Sequence, residues 1–195
     1  GAGAVLNVFD PDPGQSIAII GCGAVGLSAL LAAVTAGCGP IIGVDTNASR
    51  LAKASDLGAT HVVDASGHAS VVEDLLEATG GRGLDFTFDA VGAPGTFESA
   101  VESLAERGTC GFVAAGGAEL KAEVSPRHLL FGRTVTGILE GNSIPQLFIP
   151  QLIELYRRDR FPFDELITRF PLAEINEAEA ASHAGDVIKP LLLMP

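Results

Sequence analysis

Six short apolar runs alternate with longer, one-sidedly apolar segments over the first 140 residues. The runs SIAIIG (16–21), PIIGVD (40–45), HVVDA (61–65), LDFTFDAVG (84–92), GTCGFVAAG (108–116) and RTVTGIL (133–139) read as strands. Several are apolar at nearly every position, as strands covered on both faces must be. Between the first five lie AVGLSALLAAVTAG, ASRLAKASDLG, HASVVEDLLEATG and GTFESAVESLAERG. The last three of these carry apolar residues at three-to-four spacing, and all four end on or near Gly37, Gly58, Gly80 and Gly108, which predicts helices. Strand and helix in strict succession require right-handed crossovers. The expected fold is therefore α/β, a Rossmann-type, doubly wound, parallel sheet of six strands.

The pattern changes near residue 140. SIPQLFIPQLIELYRRDR reads as an amphipathic helix starting close to Pro145, and Pro150 inside it predicts a kink or a broken turn. FPFDELITRF reads as loop and short strand, LAEINEAEAASHAG as a helix, and VIKPLLLMP as a final strand. At the other end, GAGAVLNVF followed by PDPGQ reads as the tail of a helix and a turn, as if a preceding domain led into it. This divides the chain into a lead-in (1–14), an alternating α/β unit (15–140) and a C-terminal segment (141–195).

Composition narrows the class of partner. Twenty-four acidic residues against 12 basic ones give a net charge of −12, a field that repels nucleic acid and anionic membranes. No apolar run reaches bilayer-spanning length. The three cysteines, Cys22, Cys38 and Cys110, lack metal-ligand spacing, and their odd number fits a reducing, cytoplasmic setting. The four histidines are scattered, without Cys or Glu neighbours in a ligand pattern.

The candidate chemistry lies at the first strand-to-helix junction. Gly21, Gly23 and Gly26 form a G-x-G-x-x-G turn between a predicted strand and a predicted helix, the context that this motif requires. Gly21 permits the tight turn, Gly23 allows close approach of a pyrophosphate, and Gly26 lets helix and strand pack. The amides of Gly23, Ala24 and Val25 would face the anion at the positive end of the helix. Asp45 ends the second strand, 19 positions after Gly26. A carboxylate there accepts hydrogen bonds from a ribose 2′-OH and opposes a 2′-phosphate, which favours NAD over NADP. Arg50 tempers that preference, since it could partner a phosphate. Asp45 could instead cap the second helix. Asp85 and Asp89 share a strand face, but a cofactor domain needs no acid–base pair from them. Cys22 reads as a small space-filler.

The segments GCGAVGLSALLAAVTAGC, PIIGVDTNASRLAKASDLGATHVVDA, GLDFTFDAVGAPGTFESAVESL and FVAAGG together resemble the zinc-type medium-chain alcohol dehydrogenases. EGNSIPQLFIPQLIELYRRDRFPFDELITRF and INEAEAASHAGDVIKPLLL are most similar to the aryl-alcohol branch. The resemblance covers essentially the whole chain. It implies the coenzyme-binding half of such an enzyme, plus a segment returning to an N-terminal catalytic domain that would carry the zinc ligands. Zinc would then belong to the full-length parent and NAD to this chain.

By position, the resemblance assigns Gly21, Gly23, Ala24, Val25 and Gly26 to the pyrophosphate, and Asp45 and Arg50 to the adenosine ribose. Ala90, Val91 and Gly92 would line the cofactor cleft, and Val113, Ala114 and Ala115 would lie beside the nicotinamide. Ile138, Leu139 and Glu140 would hold its carboxamide. Lys189 would approach the pyrophosphate, as a lysine where arginine is frequent, so without a bidentate grip. The implied parent oxidises an aromatic alcohol to an aldehyde, with NAD taking the hydride; the isolated chain would bind cofactor without turnover. A homodimer through the edge strand near 133–139 is also implied. The competing reading is a non-catalytic, NAD-sensing module, and a methyltransferase domain stands behind it; neither would carry the aryl-alcohol-like C-terminal segment.

Overall fold

The structure is a computed structural model that describes residues 1–195 except Ala69, Ala115, Ala118 and Leu120. Its centre is a six-stranded parallel sheet made of β1 (Ile17–Ile20), β2 (Ile41–Asp45), β3 (His61–Asp64), β4 (Leu84–Asp89), β5 (Leu104–Phe112) and β6 (Thr134–Gly137). The strand order is β3-β2-β1-β4-β5-β6. Chain direction across the sheet therefore reverses between β1 and β4, and a crevice opens there at the carboxyl ends of the strands.

Four helices make the crossovers from β1 to β5: α1 (Ala24–Ala36), α2 (Ala48–Asp56), α3 (Val72–Ala78) and α4 (Pro94–Glu102). The two faces of the sheet have separate apolar cores. Ile17, Ile19, Leu27, Leu30 and Phe88 belong to one, and Ala18, Ile20, Ile42, Leu75 and Leu104 to the other. Consecutive residues of β1 thus point into opposite cores, and all four are buried. That is why its sequence is apolar without alternation.

One predicted boundary is corrected. The fourth helix ends at Glu102, not Gly108, and the chain enters β5 at Leu104. Leu104 pairs with Leu84, and the register then jumps so that Phe86 faces Thr109. The extra residues form a bulge in which Arg107 takes φ +64°. The Arg133 guanidinium donates to the carbonyls of Leu104 and Ala105 and satisfies that irregular backbone.

A short α5 (Pro126–Leu130) precedes β6, and α6 (Pro145–Arg157) follows it, with Pro145 at its first turn. The helix runs unbroken past Pro150, so the expected break in the turn does not occur. β7 (Ile167–Pro171) and β8 (Lys189–Leu193) flank α7 (Ile175–Ala184) and pair in parallel as a second, two-stranded sheet. The lead-in is helical, and its last six residues form a π-helix, Ala4–Phe9. Phe9 stacks on Phe86 at 5.0 Å and meets Phe88 edge-on at 6.3 Å, contacts worth about 0.5–1.5 kcal/mol each beyond area burial. Ala4, Val5 and Phe9 are thereby part of the core beneath the sheet.

Candidate cofactor cleft

The turn after β1 is built as the glycine spacing predicts. Gly21 adopts φ +94°, a region open to glycine at little cost, and its N–H donates to the Val44 carbonyl at 2.8 Å. A Cβ on Gly26 would lie 1.7 Å from the Gly21 oxygen, so only hydrogen fits where α1 crosses the turn. Gly23 is the opposite case: it caps α1, and an added Cβ would meet nothing within 4 Å. No side chain caps α1. Its first-turn amides thus lack intrahelical partners and face open space, which is a ready cradle for an anion.

Asp45 lies at the end of β2 and is 9% exposed. Its Oδ2 accepts the Cys22 N–H at 2.7 Å, and its Oδ1 accepts the Asn47 N–H at 2.9 Å. Two of roughly four acceptor positions on the carboxylate are therefore used, and the rest remain for a ligand hydroxyl. Asp45 is not the cap of α2. Asn47 has that role, accepting from the amides of Ser49 and Arg50 at 2.9 and 3.3 Å. The Arg50 guanidinium comes within 3.9 Å of Asp45 Oδ2, while its buried Nε has no hydrogen-bond partner among the described residues.

These residues border one cleft of about 440 Å³. Gly21, Gly23, Ala24, Val25 and Gly26 form one side, Asp45 and Arg50 a second, and Ala90 and Val91 a third. Val113, Ala114, Ile138 and Leu139 line a separate recess of about 230 Å³ at the ends of β5 and β6, together with Phe112 and Gly137. Gly92 stands between the two: an added Cβ there would lie 2.6 Å from the Ala114 backbone. Glu140 follows Leu139 at φ +49° and lines neither space. Lys189 begins β8, exposed, and also lines neither. Ala115 lies outside the described residues.

Some cleft residues escape the sequence reading. Ile20, Thr46, Ala65 and Thr96 also border the main cleft. Asp89, considered only as half of a pair with Asp85, is fully buried at the end of β4. It accepts the Val91 and Gly92 N–H groups and the Thr96 hydroxyl. Burial pushes its pKa up, opposed by those hydrogen bonds. Its resemblance to Asp45, an acid at the end of a parallel strand, is the signal that could have found it.

Asp85 sits at the other end of β4. Arg82 donates to both its oxygens at 3.0 and 2.8 Å, and Ser16 donates through N–H and hydroxyl. The Arg82 guanidinium above all holds its carboxyl well below the usual range. The two aspartates therefore serve opposite ends of one strand. Cys22 is buried, and desolvation, with Asp45 nearby, pushes its thiol up to about 12; it fills space under Gly43.

The family model for zinc-binding dehydrogenases matches residues 24–158. A geraniol dehydrogenase from Castellaniella defragrans is 40% identical over 99% of this chain and 52% of its own length. Benzyl alcohol dehydrogenase from Acinetobacter calcoaceticus superposes with TM-score 0.95 at 38% identity, over all of this chain and 54% of that one. An alcohol dehydrogenase zinc-binding domain protein from Burkholderia ambifaria gives TM-score 0.94 at 45% identity, over 100% and 52%. The chain spans about half the length of the relatives it matches. Among the described residues, no group of three His, Cys, Asp or Glu side chains is placed to hold a metal ion, and no helix is long and apolar enough to cross a membrane. The crossover topology, the glycine turn with its strand-end carboxylate, and the match over residues 24–158 together place this chain in the zinc-binding dehydrogenase family.

Proposed function

We propose that this chain binds NAD(H) in the cleft between the glycine turn and Asp45, as the coenzyme half of a cytoplasmic, zinc-type alcohol dehydrogenase. The observation that carries the reading is the uncapped start of α1 facing a cleft whose far side ends in the Asp45 carboxylate. The first-turn amides of Gly23, Ala24 and Val25 bind the pyrophosphate, with the helix dipole adding to them. Asp45 accepts the adenosine 2′-OH and, beside a 2′-phosphate, repels it; Arg50 holds the ribose from the other side. Val113, Ala114, Ile138 and Leu139 seat the nicotinamide end. When bound, NAD supplies the hydride acceptor. The chain aims it, and apolar side chains at Val113, Ile138 and Leu139 line the recess that receives it.

The substrate class proposed is a primary alcohol activated by an adjacent ring or double bond, oxidised to the aldehyde. That choice rests on the names of two relatives, geraniol dehydrogenase and benzyl alcohol dehydrogenase. Zinc has no donor set among the described residues, so nothing in this chain's role runs through it. These 195 residues alone bind cofactor and do not turn over; oxidation of benzyl alcohol by them with zinc and NAD would refute that. Among the described residues β6 pairs only with β5, which leaves a sheet edge free for a second copy, and sedimentation velocity reads the resulting dimer. Titration with NADH and NADPH by nicotinamide fluorescence tests the core of the proposal. Tight NADH and weak NADPH binding support it, and a folded chain that binds neither contradicts it.

A further inference from the structure

The loop after β4 stands between the two ligand spaces. On one side a Val91 methyl lies against the turn, so close that a Cβ on Gly21 would come 2.7 Å from it. On the other, Gly92 abuts Ala114 at the rim of the second recess. Nothing in that loop is large, and Gly92 holds φ +76°. Its position is set from beneath by one side chain. Asp89 Oδ1 accepts the Val91 N–H at 2.9 Å and the Gly92 N–H at 3.1 Å, while Oδ2 accepts the Thr96 hydroxyl at 3.2 Å. Thr96 in turn accepts the Ala93 N–H at 3.2 Å and starts α4. Asp89 is fully buried and reaches no ligand space itself.

We infer that Asp89 is a positioning residue: its carboxylate fixes the Ala90–Gly92 loop as the partition over which a dinucleotide passes from the cleft to the recess. This rests on the NAD(H) reading above. A buried carboxylate gripping two successive amides costs desolvation, and an apolar residue would pack there without that cost. The site retains the acid because the two amides need an acceptor that a strand neighbour does not supply. The ligand consequence is selective. A molecule held mainly against Asp45 and Arg50 depends little on the loop, whereas one that runs past Ala90 and Val91 into the recess depends on it along its length.

The test compares AMP, which reaches only the Asp45 side, with NADH, on the full 195-residue chain. In Asp89→Ala the loop amides lose their acceptor, and NADH binding weakens about tenfold while AMP binding stays within twofold. Equal weakening of both ligands, or no weakening of either in a variant that still melts cooperatively, overturns the inference. If Asp89→Ala does not fold, Asp89→Asn decides. It removes the charge and one acceptor oxygen at nearly constant size, with about threefold weaker NADH and unchanged AMP expected; unchanged NADH in that variant overturns the inference. Failure of the wild-type chain to bind AMP and NADH alike overturns the cofactor reading and this inference with it. Wild-type binding of both ligands with no selective loss in the variants overturns this inference alone.

Discussion

The Asp45 carboxylate accepts the backbone N–H of Cys22 at 2.7 Å, which fastens the end of β2 to the turn that follows β1. A single side chain thereby holds the phosphate turn in shape and marks the ribose end of the proposed site. Asp45→Ala should weaken NADH binding about tenfold or more while leaving NADPH less affected, so that the preference between them narrows. The same change strands the Cys22 and Asn47 amides and should lower stability by about 1–3 kcal/mol. Paired fluorescence titrations and a urea denaturation curve check both halves.

Gly23 and Gly26 should fail in different ways, although both belong to one motif. In Gly26→Ala the methyl would sit 1.7 Å from the Gly21 oxygen, so α1 must move off the sheet at a cost of about 1–3 kcal/mol or more. In Gly23→Ala the methyl meets no protein atom within 4 Å, and the melting temperature should stay within a few degrees of wild type. NADH binding should nevertheless be lost, because the methyl projects into the space assigned to the pyrophosphate. Thermal melts set beside NADH titrations separate the two; a Gly23→Ala chain that binds normally contradicts the placement of the phosphate.

Asp85 gives stability a definite pH dependence. Its folded pKa is held below that of the unfolded chain, chiefly by Arg82. Its contribution is therefore fully present above the unfolded value of about 4 and fades as pH falls toward the depressed folded value. Asp85→Asn should cost about 1–3 kcal/mol at pH 7, and the gap from wild type should narrow steadily below about pH 4. Asp89 acts in the opposite sense, since burial raises its pKa: it favours the folded state more as pH falls. Urea midpoints for wild type and variant at pH 7 and pH 3 expose the Asp85 part, and a gap constant across that range would contradict it.

The thiols should be silent while the chain is folded. Burial pushes Cys22 up to about 12, and Cys38 and Cys110 to about 11. Thiolate is scarce in all three at pH 8. A disulfide reagent should therefore react slowly, with the half-buried Cys38 leading, and should count three thiols promptly once urea unfolds the chain. Fast labelling of Cys22 in the folded state would contradict the packing around the turn.

Much of this molecule is written locally. β1 is apolar throughout, and β2 as far as Asp45, because both of their faces are covered, and that is visible as uninterrupted runs such as SIAIIG. The glycine turn is legible because its constraints, a positive φ at Gly21 and a contact that admits only hydrogen at Gly26, act within six residues. Asp45 is legible because a fixed crossover length puts the end of β2 at a predictable distance along the chain.

What the tertiary structure decided involves partners distant in sequence. Val101, Leu104 and Ala105 continue a helical spacing, yet Leu104 becomes a strand residue because Leu84 is there to pair with it and Arg133 is there to satisfy its bulge. Pro150, the sixth residue of α6, removes one hydrogen bond to the preceding turn, yet the helix continues to Arg157. Asp89 reads as a spare carboxylate until the amides of Val91 and Gly92 turn back onto it. The sequence by itself determined the alternation of strands and helices, the phosphate turn and its acid, since each rests on spacing and on what a backbone admits locally. The tertiary structure decided where β5 begins, which side chain holds the partition loop, and how cleft and recess come to adjoin, since each depends on groups that meet only after the sheet has formed.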